Sequence, residues 1–176
     1  ARLLFVAPGQ INFLTPAALR QGPGRVTVSR LDGGSTTVEA SIALVSPGLF
    51  AANADGRGVA AALVSRVREG RVVSTEFVFR CDAAGRNCQP APLDLGPEGD
   101  ELVLLLFGTG IRGASAVSAR IGGRQAAPQY AGPQGGFEGL DQVNVALQRA
   151  LSGAWVVEVA LTVDGLTSNS VTIQIR

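Results

Sequence analysis

Apolar residues recur at every second position along most of this chain. Val26 and Val28 alternate with Arg25, Thr27 and Ser29, and Val38, Ala40, Ile42 and Leu44 alternate with Glu39, Ser41 and Ala43. Phe77 and Phe79 alternate with Glu76, Val78 and Arg80, and Val117, Ala119 and Ile121 with Ser118 and Arg120. The longest run sets Trp155, Val157, Val159, Leu161 and Val163 against Val156, Glu158, Ala160 and Thr162. Val171, Ile173 and Ile175 then alternate with Thr172, Gln174 and Arg176. Successive side chains of a strand point to opposite faces, so this period predicts strands with one buried and one wet face. Between the runs lie Asp32-Gly33-Gly34, Asp55-Gly56, Gly122-Gly123 and Asp164-Gly165, which carry turn chemistry. Many short strands at this spacing predict a sandwich or barrel. Helix signals reduce to single turns at 16–21 and 148–152, and Val59, Val64 and Val67 favour a strand within 59–68.

The chain also repeats itself. Gln10-Ile11-Asn12-Phe13 matches Gln142-Val143-Asn144-Val145, and Phe5-Val6-Ala7-Pro8 matches Tyr130-Ala131-Gly132-Pro133. Ala18-Leu19 matches Ala150-Leu151, Val26-Thr27-Val28 matches Val157-Glu158-Val159, and Asp32-Gly33 matches Asp164-Gly165. The second copy carries extra residues at 135–141. Before Tyr130 it also has the run 102–123, enough for two strands, whereas only residues 1–4 precede Phe5. The expected fold class is therefore all-β, as tandem immunoglobulin-like β-sandwich modules of which the first is incomplete. Residues 1–45 form the incomplete module. Residues 46–98 form a linker and disulfide hairpin strands that pack with the second module, and residues 99–176 form that second module.

Composition narrows the function classes. Apolar residues make up 46% of the 176, enough for a core, and the net charge is +1. That charge offers no electrostatic attraction for nucleic acid or an anionic membrane. The longest aliphatic run, 102–107, falls far below the ~20 residues of a spanning helix, so no membrane span is expected. There is no His, and every one of the 15 basic residues is Arg. Ser or Cys nucleophiles usually need a His or Lys base, so nucleophilic catalysis is disfavoured. Without Met the chain has lost its initiator, so a removed signal peptide or a longer parent chain is expected. Cys81 and Cys88 flank the turn Asp82-Ala83-Ala84-Gly85-Arg86-Asn87, a spacing that suits a disulfide and hence an oxidising compartment. Two free thiols are the alternative. A zinc site lacks further ligands, and no cofactor or metal is expected.

Several residues invite a chemical reading. Gly108-Thr109-Gly110-Ile111-Arg112-Gly113 is formally G-x-G-x-x-G, but strand alternation follows it where a dinucleotide fold needs a helix. A glycine turn between sandwich strands is the better reading. A carboxylate pair of glycosidase type would draw on Asp94, Asp100, Glu101, Glu138 and Asp141. Asp100, Glu101 or Asp141 could also hold calcium with loop carbonyls, although solvated turns explain them more simply. Trp155 falls on the core face of its strand, which argues against a sugar platform, while Phe137 in the inserted loop is a candidate exposed aromatic. The pairs Gln10/Asn12 and Gln142/Asn144 are expected to fasten their strands to a neighbouring loop.

The segments Ala7-Pro8-Gly9-Gln10-Ile11-Asn12-Phe13, Ser46-Pro47-Gly48-Leu49-Phe50 and Pro92-Leu93-Asp94-Leu95-Gly96 carry a further signal. With them go Leu106-Phe107-Gly108-Thr109-Gly110-Ile111-Arg112-Gly113, Gly139-Leu140-Asp141-Gln142-Val143-Asn144-Val145 and Leu161-Thr162-Val163-Asp164-Gly165. Together they resemble an uncharacterised C-terminal domain family of large secreted proteins of Acidobacteria-type soil bacteria. The resemblance spans nearly the whole chain. It implies immunoglobulin-like modules and secretion, and it implies no activity. The expected role is a non-enzymatic extracellular structural or adhesive protein that self-assembles into fibres by strand complementation. The alternative is a polysaccharide-binding module at the C-terminus of a larger secreted protein. Partners would be further copies of the chain or other extracellular proteins. The candidate assembly strands carry Leu3, Leu4, Phe5 and Val6 at one end and Val171, Ile173 and Ile175 at the other.

Overall fold

The computed structural model, which describes residues 1–16 and 18–176, turns the alternating runs into strands. A single 3-10 turn at Arg149–Leu151 is the one helical element among the described residues. The turn expected at 16–21 includes Ala17, which lies outside them. The fold is all-β, and the chain divides into two units, Ala1–Leu44 and Val45–Arg176.

The first unit consists of two hairpins. Strands β1 (Arg2–Ala7) and β2 (Gln10–Leu14) pair antiparallel, as do β3 (Gly22–Ser29) and β4 (Ser35–Ile42). No described residue of this unit is fully buried. Ile11, Leu14, Val26, Ala40 and Ile42 are half-covered, and the rest of its large apolar side chains are exposed.

The second unit is a two-layer sandwich. Its strands are β5 (Gly48–Leu49), β6 (Ala62–Arg68), β7 (Arg71–Phe77), β8 (Phe79–Arg80), β9 (Gln89–Pro90), β10 (Pro92–Leu93), β11 (Asp100–Thr109), β12 (Val117–Ile121), β13 (Arg124–Ala126), β14 (Tyr130–Pro133), β15 (Asp141–Ala146), β16 (Trp155–Val163), β17 (Leu166–Thr167) and β18 (Val171–Ile175). One sheet runs β14-β15-β11-β6-β7, with β5 beside the end of β11; the other runs β10-β18-β16-β12-β13, with β17 beside β16. Their inner faces meet in one core. Val64, Leu104, Leu106, Val143 and Val145 come from the first sheet, and Ile121, Val159, Leu161, Val163, Ile173 and Ile175 from the second. Each fully buried Val, Leu or Ile contributes about 1.5–3 kcal/mol relative to exposure, so this unit carries the stability of the chain.

Three sequence expectations need refinement here. Residues 46–98, expected as a linker and disulfide hairpin strands packing with the second module, are continuous with that module. They supply β5, β6, β7 and β10, so the sandwich begins at Val45 rather than at residue 99. Phe77 and Phe79 do not share a buried face: Phe79 is part-buried against the core, and Phe77 is not. The strand breaks at Val78, whose side chain is buried, while Phe77 is exposed and the two rings touch at a centroid distance of 5.1 Å. Trp155 does not enter the core either. Its φ of 56° takes it out of the extended region at the first residue of β16, and it is 67% exposed.

Glycines in the Gly108–Gly113 stretch serve close packing. A Cβ on Gly108 would overlap the carbonyl of Gly48, and one on Gly110, at φ 71°, would overlap the Ser46 backbone. Ser46 N–H donates to the Gly110 carbonyl at 2.9 Å. The stretch is the crossing from β11 in one sheet to β12 in the other, as the glycine-turn reading expects.

Candidate functional site

The sequence repeat is also a register repeat. In unit 2, Tyr130 faces Asn144 and Ala131 faces Val143; in unit 1, Phe5 faces Asn12 and Val6 faces Ile11. Gln142 Nε2 donates to Asn144 Oδ1 at 2.7 Å, and Gln10 Nε2 donates to Asn12 Oδ1 at the same distance. The Gln/Asn pairs therefore fasten to themselves along the strand, not to a neighbouring loop. In the second hairpin Val157 faces Ile173 and Val159 faces Val171, as Val26 faces Val38 and Val28 faces Thr36.

What differs is the covering. In unit 2, β15 has β11 on its second edge and β16 has β12. Among the described residues of unit 1, β2 pairs only with β1 and β3 only with β4. The consequence is read from matched side chains: Ile173 is 0% exposed and Val38 62%, while Val145 is 0% exposed and Phe13 39%. Leu3, Leu4, Phe5 and Val6 are also exposed, at half their surface or more. Unpaired edges flanked by apolar side chains readily add a strand.

The candidate assembly strand at the other end is corrected by the structure. Val171, Ile173 and Ile175 are fully buried, and β18 is paired on both edges, with β16 on one side and β10 on the other. Removing it would open the core, so it is not free to be donated.

The carboxylates singled out by sequence lie at separate structural tasks. Asp141 is buried in β15 and accepts Ile111 N–H at 2.8 Å, Arg112 N–H at 3.1 Å and Arg112 Nε at 2.5 Å. Asp100 is buried and accepts Arg66 Nη1 at 2.8 Å and Arg68 Nε at 2.6 Å. The Arg68 hydrogen bond is the main cause that brings its carboxyl down to about 2, against the opposing effect of burial. These two are not the solvated turn residues that the sequence suggested. Asp94 accepts Gly96 N–H and then Arg176 Nη2, which lower its pKa in that order of weight. Glu101 accepts Gln129 Nε2, and Glu138 stands in the exposed loop with Phe137. No three His, Cys, Asp or Glu side chains come together as a metal-binding group among the described residues.

Other anchoring residues escaped the sequence reading. Arg149 reaches the carbonyls of Leu95, Gly96, Pro97 and Asp100. Asn169 accepts Leu49 N–H and donates to the Leu49 and Gly56 carbonyls. Asn53 brackets Cys88, accepting its N–H and donating to its carbonyl. Asp164 accepts Ser115 and Ala116 N–H groups where the chain enters β12. Single polar residues joined across 35 to 120 positions leave no local pattern to read.

Cys81 and Cys88 are disulfide-bonded, as their spacing predicts. No helix among the described residues is long and apolar enough to cross a membrane. Comparison with protein-family models, with curated proteins and with solved structures found no match to this chain.

Proposed function

We propose that this chain is a non-enzymatic extracellular structural or adhesive protein whose contact element is unit 1, assembling into fibres by strand complementation. The observation that carries the reading is the open pair of hairpins. Their repeat counterparts in unit 2 are buried, and they are not. Strand addition uses main-chain hydrogen bonds for affinity and alternate side chains for register. The disulfide suits an oxidising compartment, and the likeness to a secreted domain family points the same way. With β18 locked in the core, the strands that a neighbouring copy can offer are those of its own unit 1. Light scattering over a concentration series, followed by electron microscopy, is the test. Mass rising with concentration, abolished by Val28→Asp with Phe13→Asp, is expected. A monomer at every concentration would remove the self-assembling form.

A second reading is a polysaccharide-binding module, favoured by one observation. Trp155, the only Trp, stands exposed beside exposed Val156. Aromatic faces of this kind combine apolar area with a polar N–H handle. Titrating soluble polysaccharides against Trp155 fluorescence decides it: an unchanged spectrum with every sugar tested sinks this reading.

A further inference from the structure

We infer that the outer face of strands β14, β15 and β11 in unit 2 is a contact site for a neutral polysaccharide, centred on Tyr130, Gln142 and Asn144. The site goes beyond both readings above. It needs neither assembly through unit 1 nor Trp155, whose strand β16 belongs to the other sheet.

The face follows from period two. Val143 and Val145 of β15 point into the core, so Gln142 and Asn144 point away from it. Residues paired directly across strands share a face. From β14, Tyr130 faces Asn144 and Gly132 faces Gln142; from β11, Leu105 faces Asn144 and Phe107 faces Gln142. Phe50 extends the row, since its N–H donates to the Phe107 carbonyl at 2.9 Å and the preceding Leu49 lies in the core. Tyr130 and Phe50 are exposed, and the other four side chains are half-buried. With neighbouring strands about 4.8 Å apart, the row from Tyr130 to Phe50 crosses about 14 Å, room for a few linked sugar rings.

Three features select the ligand. The Tyr130 ring is laid along its own strand. Its hydroxyl donates to the Pro133 carbonyl, and a Cβ on Gly132 would stand 3.1 Å from that hydroxyl oxygen and 3.4 Å from Cζ. The ring is pinned over a glycine with 42% of the residue still exposed, which offers apolar area to the C–H face of a sugar. The amides come next. Because Gln142 Nε2 donates to Asn144 Oδ1 at 2.7 Å, the Asn144 Nδ2 donor and the Gln142 Oε1 acceptor have no partner among the described residues. A donor held beside an acceptor suits hydroxyl groups, which do both. Finally, none of the six side chains is charged, so the complementary ligand is a neutral polyol rather than an anion or a cation.

Unit 1 repeats the amide pair without its surroundings. Gln10 and Asn12 keep the same hydrogen bond, and Phe5 faces Asn12. But Ala7 faces Gln10 where Gly132 faces Gln142, and among the described residues β2 has no strand in the place of β11. The site is therefore assigned to unit 2.

The test is affinity electrophoresis of the full 176-residue chain through gels holding hydroxyethylcellulose, galactomannan, dextran or polygalacturonate. Expected is retardation in at least one of the three neutral gels. The side-chain amide resonances of Asn144 and Gln142 should shift when that polysaccharide is added. Tyr130→Ala and Asn144→Ala should each weaken binding by about five- to ten-fold. Gly132→Ala, which crowds the ring but keeps it, should weaken binding in the same direction, and Trp155→Ala should bind as the unchanged chain does. Urea midpoints of the variants separate lost contact from lost folding, and the amide shifts test the site in the unchanged chain. Free passage through every neutral gel would overturn the inference. So would retardation by polygalacturonate alone, or retardation that folded Tyr130 and Asn144 variants keep. Retardation lost in Trp155→Ala, with the two amide resonances unmoved, would overturn this site and leave the Trp155 reading standing.

Discussion

Asp141 is the residue on which the crossing between the two sheets depends. Its carboxylate satisfies two backbone N–H groups and a guanidinium at once, from within the core. Removing one partner of such a set leaves the others unsatisfied and buried. Asp141→Ala should therefore cost about 3–5 kcal/mol, read as a fall in the urea midpoint. Gly110→Ala meets both a left-handed φ of 71° and the Ser46 backbone, and should destabilise by at least about 1–3 kcal/mol in the same assay. Asp100 sets the acid response. Its carboxyl titrates near 2 when folded, below the ordinary 3.8, so its stabilisation is complete above the higher value. That stabilisation declines as pH drops below 3.8 and is lost as pH falls through about 2. Urea midpoints should drop across that window, and Asp100→Asn should flatten the slope. An unchanged slope in that variant would remove Asp100 from the acid response.

The strands themselves were legible because period two is a local signal. Runs at β12, β16 and β18 could be drawn from the residues alone, and so could the hairpin repeat. What was not legible is which strand covers which. The sequence 171–175 reads the same whether it is donated to a neighbour or held in a core, and only its pairing with β16 and β10 decides. Trp155 keeps the spacing of a core residue but loses the face, because a positive φ at the strand start re-aims it. The 46–98 stretch reads as a linker with hairpin strands because β5, β8, β9 and β10 are two residues each, and the β6-β7 hairpin joins the sandwich only through the distant pairing of β6 with β11. The disulfide was legible, since its two residues lie only seven positions apart. At this scale it constrains the loop that Asn53 holds by Cys88. Reduction should lower unit 2 stability by about 2–3 kcal/mol in the chain-entropy account without unfolding it. Alkylation with and without reductant checks the bond, and denaturant curves check the cost.

At the scale of the whole chain, burial is divided very unequally. Among the described residues, every fully buried side chain lies at or after Val45, while those before it contribute ten exposed large apolar side chains. Isolated two-stranded hairpins are marginal in water, and three or more strands with a covered face are needed for independent stability. Opening free energies follow local burial, so the two units should exchange their amide hydrogens on different scales. Amides of β11, β15, β16 and β18 sit among the residues of the sandwich core and should exchange only through global unfolding of unit 2. Amides of β1 to β4 should exchange through local opening, orders of magnitude sooner, and their rates should not respond when unit 2 is weakened by Asp141→Ala. Matching substitutions in the other direction, Val28→Asp and Phe13→Asp, should leave the urea midpoint of unit 2 where it was, since neither side chain belongs to its core. Comparable protection in both units, or one shared transition that both sets of variants move, would show that residues 1–44 draw their stability from the sandwich, and that their edges are not open.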